Sequence, residues 1–535
     1  MKKLTKISCM LLLLLGLSVQ QTYASAGDVW QGEVKDASLL TGRGNQDEPL
    51  LSLSVDIPEG TTGRWKKLKL ALEGSFTKAD VTRIKIYVTP ASTTFDPRRV
   101  GEYMKLGECS AKNGTLQCAL SGALTGGKHR LWVACDVSDK AVEGHRIEAS
   151  ILSVSTSAGT IQPIAPAVKP TCEILLTRKL LYAPGDYQSR NYRIPAIVTA
   201  PDGSLVIATD KRKANQTDLP EDIDILVNRS TDGGQTWSEP LTIAQGLGRF
   251  KGYGDAALVR TDDKGGLLCI FVGGTGFFQS TLDVPQRTYV CKSADNGLTW
   301  TRPRDITDQL FGKACSDSLR GKWTGSFCAS GAGLLSRDGT IWFVAAVRET
   351  SKRSIHDIAN YVYYSEDKGE TWKVSSCVKA DDANEAKIVE LNDGSLLVSI
   401  RNQQKGPRFY SISKDRGQTW SPVKTWNEMV EPGCNGDIIR YTSVKDGQDK
   451  DRLLHSVPND PKRRRNVSVF LSYDEAKTWP IKKTICAGGS AYSSLCILPD
   501  GTIGLYTEEN EDTEDFSMYF TRFSLEWLTD GADKL

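Results

Sequence analysis

The sequence predicts an all-β protein, a six-bladed β-propeller preceded by an N-terminal β-sandwich domain, and three observations predict it. An eight-residue box, Ser-x-Asp-x-Gly-x-Thr-Trp, begins at Ser230, Ser293, Ser365 and Ser413, and a fifth copy at Ser472 carries Ala476 in the glycine place. A second turn signal, Asp-Gly followed by Ser or Thr, alternates with the boxes at Asp202, Asp338, Asp393 and Asp500, with looser versions at Asp263 and Asp446. Finally, 48 Gly and 12 Trp against 5 Met in 535 residues is the composition of many short strands and repeated aromatic packing, and it disfavours a helical bundle.

Residues 1–26 read as a targeting segment. Lys2, Lys3 and Lys6 precede an apolar run from Ile7 to Val19, and Ala24-Ser25-Ala26 supplies small residues for cleavage. Cys9 lies before the apolar run, so no lipid anchor is indicated. No later stretch approaches the ~20 apolar residues of a membrane span, so an exported protein, periplasmic or secreted, is expected. Residues 27–161 hold short β-prone runs, Leu50–Ile57, Trp65–Leu72, Val81–Val88, Arg130–Val137 and Arg146–Val154, that fit a β-sandwich. Three prolines between Gln162 and Pro170 are too donor-poor for a central strand, and 162–177 is expected as a linker.

Residues 178–535 carry the repeats. In each box Asp and the following Gly make a tight turn, the carboxylate accepts from backbone N–H groups within it, and Trp packs beneath. Six hairpins and five boxes give six sheet units of about fifty residues, the last without a box, and their edges are covered if the units close into a ring through the chain's own termini.

Charge and composition exclude several functions. Lys+Arg 67 against Asp+Glu 65 leaves +2, so no overall field attracts nucleic acid or anionic lipid. The four histidines, His129, His145, His356 and His455, are scattered, and no metal site or cofactor is expected. Setting Cys9 aside leaves twelve cysteines; Cys109/Cys118, Cys315/Cys328 and Cys486/Cys496 are close enough to pair or to remain buried thiols.

The boxes resemble the Asp-boxes of sialidases, and Tyr192-Arg193-Ile194-Pro195 just before the first unit resembles their arginine motif. Together they are similar to the bacterial exo-α-sialidases (neuraminidases) of glycoside hydrolase family 33 over about Arg178–Leu535. The resemblance implies a catalytic propeller and a lectin-like accessory sandwich, whose alternative is a purely structural domain. Trp30, Trp65 and Trp132 are candidate sugar platforms there, or core residues.

A sialoside bears a carboxylate on the carbon to be attacked, and arginine forks suit it. By resemblance these are Arg193, Arg401 in Ser399-Ile-Arg-Asn402, and one of Arg463, Arg464 and Arg465, with Arg464 preferred. A carboxylate nucleophile beside the substrate carboxylate would be repelled by about 4 kcal/mol at an effective dielectric near 20, and sialidases are the tyrosine-nucleophile exception among glycosidases. Tyr492 in Ala491-Tyr-Ser-Ser matches that nucleophile, Glu385 in Asn384-Glu-Ala-Lys its base, ahead of the rival Glu390, and Asp218 in Thr217-Asp-Leu-Pro220 the acid/base. Asp210 and Arg212 are candidates for further sugar contacts. The implied activity is retaining hydrolysis of terminal sialic acids from glycoproteins, glycolipids and oligosaccharides, by a monomer. The alternatives are a non-catalytic glycan-binding propeller and a trans-sialidase or intramolecular trans-sialidase, which would use the same residues.

Overall fold

In a computed structural model, residues 28–351, 354–510 and 515–535 are described. The expected targeting segment, 1–26, lies outside them. They form two compact units: one holds 44–141 and 145–173 with the chain from Asp28, and the other holds 174–535 with the short pieces 40–43 and 142–144. Among the described residues, no helix is long and apolar enough to cross a membrane.

The first unit is a β-sandwich built around one 26-residue strand, Glu48–Glu73. Its first half pairs with Asp28–Asp36 and Ala123–Val137. The register shifts between Ile57 and Thr62, and the second half pairs with Gly114–Ala119 and Arg146–Thr156, so the two expected runs 50–57 and 65–72 are one bent strand. Bending lets one strand serve both layers. Trp30, Trp65 and Trp132 are all buried, which makes them core residues instead of platforms. Cys109 and Cys118 form a disulfide, whereas Cys315, Cys328, Cys486 and Cys496 are free thiols.

The expected linker at 162–177 needs correction. Strand Gly159–Ile164 runs into it and pairs in parallel with Asp28–Asp36, and Thr171–Leu175 pairs with Arg146–Thr156. Pro163 is tolerated in the sheet because alternate backbone groups of a strand point away from its partner. Within it, 165–170 and Leu176 lie between strands.

The second unit is a six-bladed propeller. Four blades are separate sheets: Asn191–Thr199 to Leu241–Ala244, Tyr253–Arg260 to Arg304–Asp305, Gly325–Cys328 to Lys373–Val374, and Ala383–Glu390 to Lys424–Glu431. The fifth and sixth are joined by the long strand Ile481–Ile497, outermost in one and innermost in the other. Thr177–Tyr182 pairs with Ser517–Phe523 as the outer strand of the sixth blade, so the two ends of the propeller segment close the ring. Second strands such as Leu267–Gly273 and Ile341–Arg348 are buried at every residue, because each blade packs between two others.

Each box closes the turn after a third strand as its chemistry predicts. In the second blade Ser293 Oγ donates to Asp295 Oδ1 at 2.8 Å and accepts from Gly297 N at 2.9 Å, while Thr299 donates its N–H (2.9 Å) and its Oγ1 (2.6 Å) to the same carboxylate. The fifth glycine position has φ between 81° and 87° in four boxes, and Ala476 takes φ 62° in the fifth, paying for its methyl with left-handed strain.

Candidate active site

The site is made by one device repeated on the innermost strands. In the first, second, fourth and sixth blades the register slips by one residue, between Arg193 and Ala196, Gly254 and Ala257, Ala383 and Ala386, and Ser490 and Ser493. Such bulges re-aim side chains. They lie at the same end of the blades and present Arg193, Asp255, Glu385 and Tyr492. The residues facing two of them from the second strand, Arg401 and Glu508, belong to the same cluster. Ile194 in the first bulge has φ 65°, a costly conformation for a β-branched residue and one that clusters at functional sites.

Tyr492 is the centre. Its hydroxyl donates to Glu385 Oε2 at 2.6 Å, and Arg401 Nη1 donates to that same oxygen at 2.5 Å and to the Tyr492 hydroxyl at 3.2 Å. The guanidinium carbons of Arg193 and Arg464 lie 5.1 and 5.3 Å from the centroid of its ring. Burial pushes the phenol pKa well up, reinforced by the Glu385 charge, while Arg401 and Arg464 oppose the shift.

Glu508 fixes two parts of this arrangement. Its Oε1 accepts from Arg193 Nε (3.1 Å) and Ile194 N (2.6 Å), and its Oε2 accepts from Arg193 Nη2 (2.9 Å) and Tyr492 N (3.1 Å). Burial works to raise its pKa, but Arg193 and these donors hold it below the usual carboxylate range. Among the described residues Arg464 has no ion pair; its Nη2 donates to Gly433 O at 3.3 Å. The turn before it is set by Asp460 Oδ1, which accepts from the N–H groups of Lys462 and Arg463 at 2.8 and 2.9 Å. Of the three neighbouring arginines, Arg464 faces Tyr492, whereas Arg463 is exposed. Three arginines against Glu385 and Glu508 leave a surplus positive charge where an anion would sit.

Asp218 lies on the loop after Leu205–Arg212, with its side chain 70% exposed and Oδ1 2.6 Å from Arg212 Nη2. Its surroundings work to raise its pKa, but Arg212, Arg193 and Arg464 outweigh them and hold it below the ordinary value. Asp210 and Arg212, expected at the sugar, are almost wholly buried beneath this loop; Arg212 also donates to Gln216 O at 2.6 Å. Burial, opposed by Arg212 and aided by Asp218, pushes Asp210 up to about 7. Glu390 lies elsewhere, on the hairpin end of its strand, and accepts from Arg337 N at 2.9 Å.

Sequence reasoning missed Glu508 and Asp255. Glu508 had a signal: it follows Tyr492 at the spacing by which Arg401 follows Glu385, which is the distance from a bulge to the residue facing it. Asp255 had none, being one acid in an ordinary β-prone stretch. Burial, together with Asp210, Asp218 and Glu385, pushes its pKa well up. Among the described residues no group of three or more His, Cys, Asp or Glu side chains could hold a metal ion.

The BNR repeat-like domain family matches residues 212–505. The chain is 31% identical to a sialidase of Micromonospora viridifaciens over 396 residues, 71% of this chain and 59% of the relative. It is 28% identical to a sialidase of Bacteroides fragilis over 349 residues, 61% of each. It thus spans about three-fifths of the length of these two relatives. Among solved structures, a Hadza microbial sialidase superposes with a TM-score of 0.72 at 22% identity, over 93% of this chain and all of that one. The intramolecular trans-sialidase of Ruminococcus gnavus gives 0.54 at 18% identity, over 65% of this chain and 97% of that one.

Proposed function

Because the chain belongs to the BNR-repeat family of bacterial sialidases, we propose that it hydrolyses terminal sialic acids from glycoproteins, glycolipids and oligosaccharides, by a retaining mechanism with Tyr492 as nucleophile. The observation that carries this reading is the Tyr492 hydroxyl donating to Glu385 at 2.6 Å among three arginines.

In the first step Glu385 takes the phenol proton while Tyr492 Oη attacks the anomeric carbon, and Asp218 protonates the departing oxygen. In the second, Asp218 takes a proton from water, which attacks the same carbon as Tyr492 leaves and recovers its proton from Glu385. Burial keeps the phenol protonated until a base acts on it, and Arg401 and Arg464 favour the charge that then develops on its oxygen. Arg193, Arg401 and Arg464 hold the substrate carboxylate and so fix the ring for attack, a positioning effect worth several kcal/mol.

Asp218 must be protonated to act as an acid, although Arg212, Arg193 and Arg464 hold it low. Docking the substrate carboxylate on Arg193 and Arg464 offsets two of those charges and raises Asp218 when its proton is needed. Asp210 and Arg212 shape its loop from below. The protein is placed outside the cytoplasm, as residues 1–26 suggest, and is taken to act as a monomer.

The test is release of the aryl group from an aryl α-sialoside by the full chain, beside Tyr492→Phe and with a chelator present. Chelator-insensitive release of free sialic acid, lowered at least about 10³-fold in the variant, is expected. Full activity of Tyr492→Phe would overturn the proposed nucleophile, and an anhydro sugar as product would make the enzyme an intramolecular trans-sialidase.

A further inference from the structure

Loops that lead from a second strand to a third, and from one blade to the next, open at the end of the blades that carries Tyr492. Residues 245–252, between Leu241–Ala244 of the first blade and Tyr253–Arg260 of the second, form one of them. Its tip is apolar and open, with Leu247 71% and Phe250 52% exposed. Phe250 has φ 66°, a left-handed conformation that bulky residues rarely adopt.

The conformation is held in place. Phe250 N donates to Pro220 O at 2.6 Å, and Arg249 donates through Nε to Glu221 Oε1 at 3.0 Å while its guanidinium carbon lies 4.9 Å from the centroid of the Phe250 ring. Two glycines let the loop press onto residues 218–223. A Cβ on Gly252 would lie 2.1 Å from Glu221 O, and one on Gly246 would lie 2.4 Å from Asp222 Oδ1. The segment gripped is therefore the one that carries Asp218. Strained residues persist only where their surroundings over-determine them, and they concentrate at ligand sites.

We propose that Phe250 is the platform on which the sugar ring of the leaving group lies, which makes the 246–252 loop a determinant of the sugar to which sialic acid is joined. The inference rests on the sialidase reading with Asp218 as acid. A group that protonates the departing oxygen must face it, so the leaving sugar lies on the open side of Asp218, beside the loop bound to Pro220. A pyranose has an apolar C–H face and a polar rim. The Phe250 ring complements the face, and the Arg249 guanidinium braced at its side offers donors to the rim hydroxyls. Binding energy gained there acts only on substrates that carry the ring.

Phe250→Gly tests this, because glycine accepts φ 66° and removes the ring without adding strain; Phe250→Tyr is its conservative partner. With the full chain, Phe250→Gly is expected to lower kcat/KM on sialyllactose about tenfold, mainly through KM. On methyl α-sialoside, whose leaving group has no ring, kcat/KM should change by no more than about twofold, and Phe250→Tyr should restore the loss on sialyllactose. Equal losses on both substrates would overturn the inference by showing that the ring only shapes the Asp218 loop, as would no loss on either. Failure of the wild-type chain to cleave either substrate would overturn the sialidase reading, and this inference with it.

Discussion

Glu508→Gln separates the role of one buried carboxylate from that of the residues it serves. Each Glu508 oxygen accepts two bonds, Oε1 from Arg193 Nε and Ile194 N, Oε2 from Arg193 Nη2 and Tyr492 N. Whichever oxygen becomes the amide nitrogen, two donors then face a donor, and one of them belongs to Arg193. With charge-assisted bonds at about 1.5–3 kcal/mol each, losing two costs about 3–6 kcal/mol, and the Arg193 charge loses its buried counter-ion. The bulge can keep its shape at a cost in stability, or Arg193 and the Tyr492 backbone can shift. In the second case kcat/KM on an aryl sialoside falls about 10²–10⁴-fold. Urea unfolding of the full chain and steady-state kinetics, measured on the same preparation, capture both routes. A variant with an unchanged midpoint and kcat/KM within threefold of wild type would refute the reasoning.

Asp210 gives the chain a pH dependence. Its folded pKa, pushed up to about 7 from 3.8, lies above the unfolded value, so the folded chain binds the extra proton between them. Its contribution to stability is full below about pH 4 and is lost as the pH rises through 7. Urea midpoints should fall from pH 5 to pH 8 in wild type and fall less in Asp210→Asn; equal slopes would count against the assignment. In the second blade's box, Asp295→Ala removes the acceptor of Ser293 Oγ, Thr299 N and Thr299 Oγ1 and should cost about 2–3 kcal/mol by the same unfolding assay. A loss below about 0.5 kcal/mol would show that the box does not staple its blade.

The blades were legible because the boxes and Asp-Gly turns are local chemistry. An aspartate four residues before a threonine can accept its N–H whatever the rest of the chain does, so the count of six and the missing sixth box could be read directly. Arg193, Asp218, Glu385, Arg401, Arg464 and Tyr492 could be named because each falls in a family pattern at a recognisable place in the order set by such turns. What escaped depends on register. The slip that turns Tyr492 inward leaves no mark on composition, and Glu508 is recognisable only from the strand that faces it. Burial of Asp210 and Arg212 beneath the Asp218 loop follows from packing between blades. Asp255 and Phe250 are visible only once the loops of two blades are laid against each other. The stretch 162–177 misled for a related reason, since only Pro163 stands in a strand, while Pro166 and Pro170 fall in the short segment between two strands.

The strand that closes the ring also sets the order in which the chain can become a propeller. Thr177–Tyr182 is made before any other strand of the propeller, yet its partner Ser517–Phe523 is the last strand made among the described residues. During synthesis that first strand must wait, unpaired and β-prone, while the blades appear behind it. Contacts of such long range form late and slowly, and an open edge that persists recruits other edges. A chain interrupted before Ser517 would retain its Tyr492 but leave the ring open, so its characteristic failure would be assembly with copies of itself.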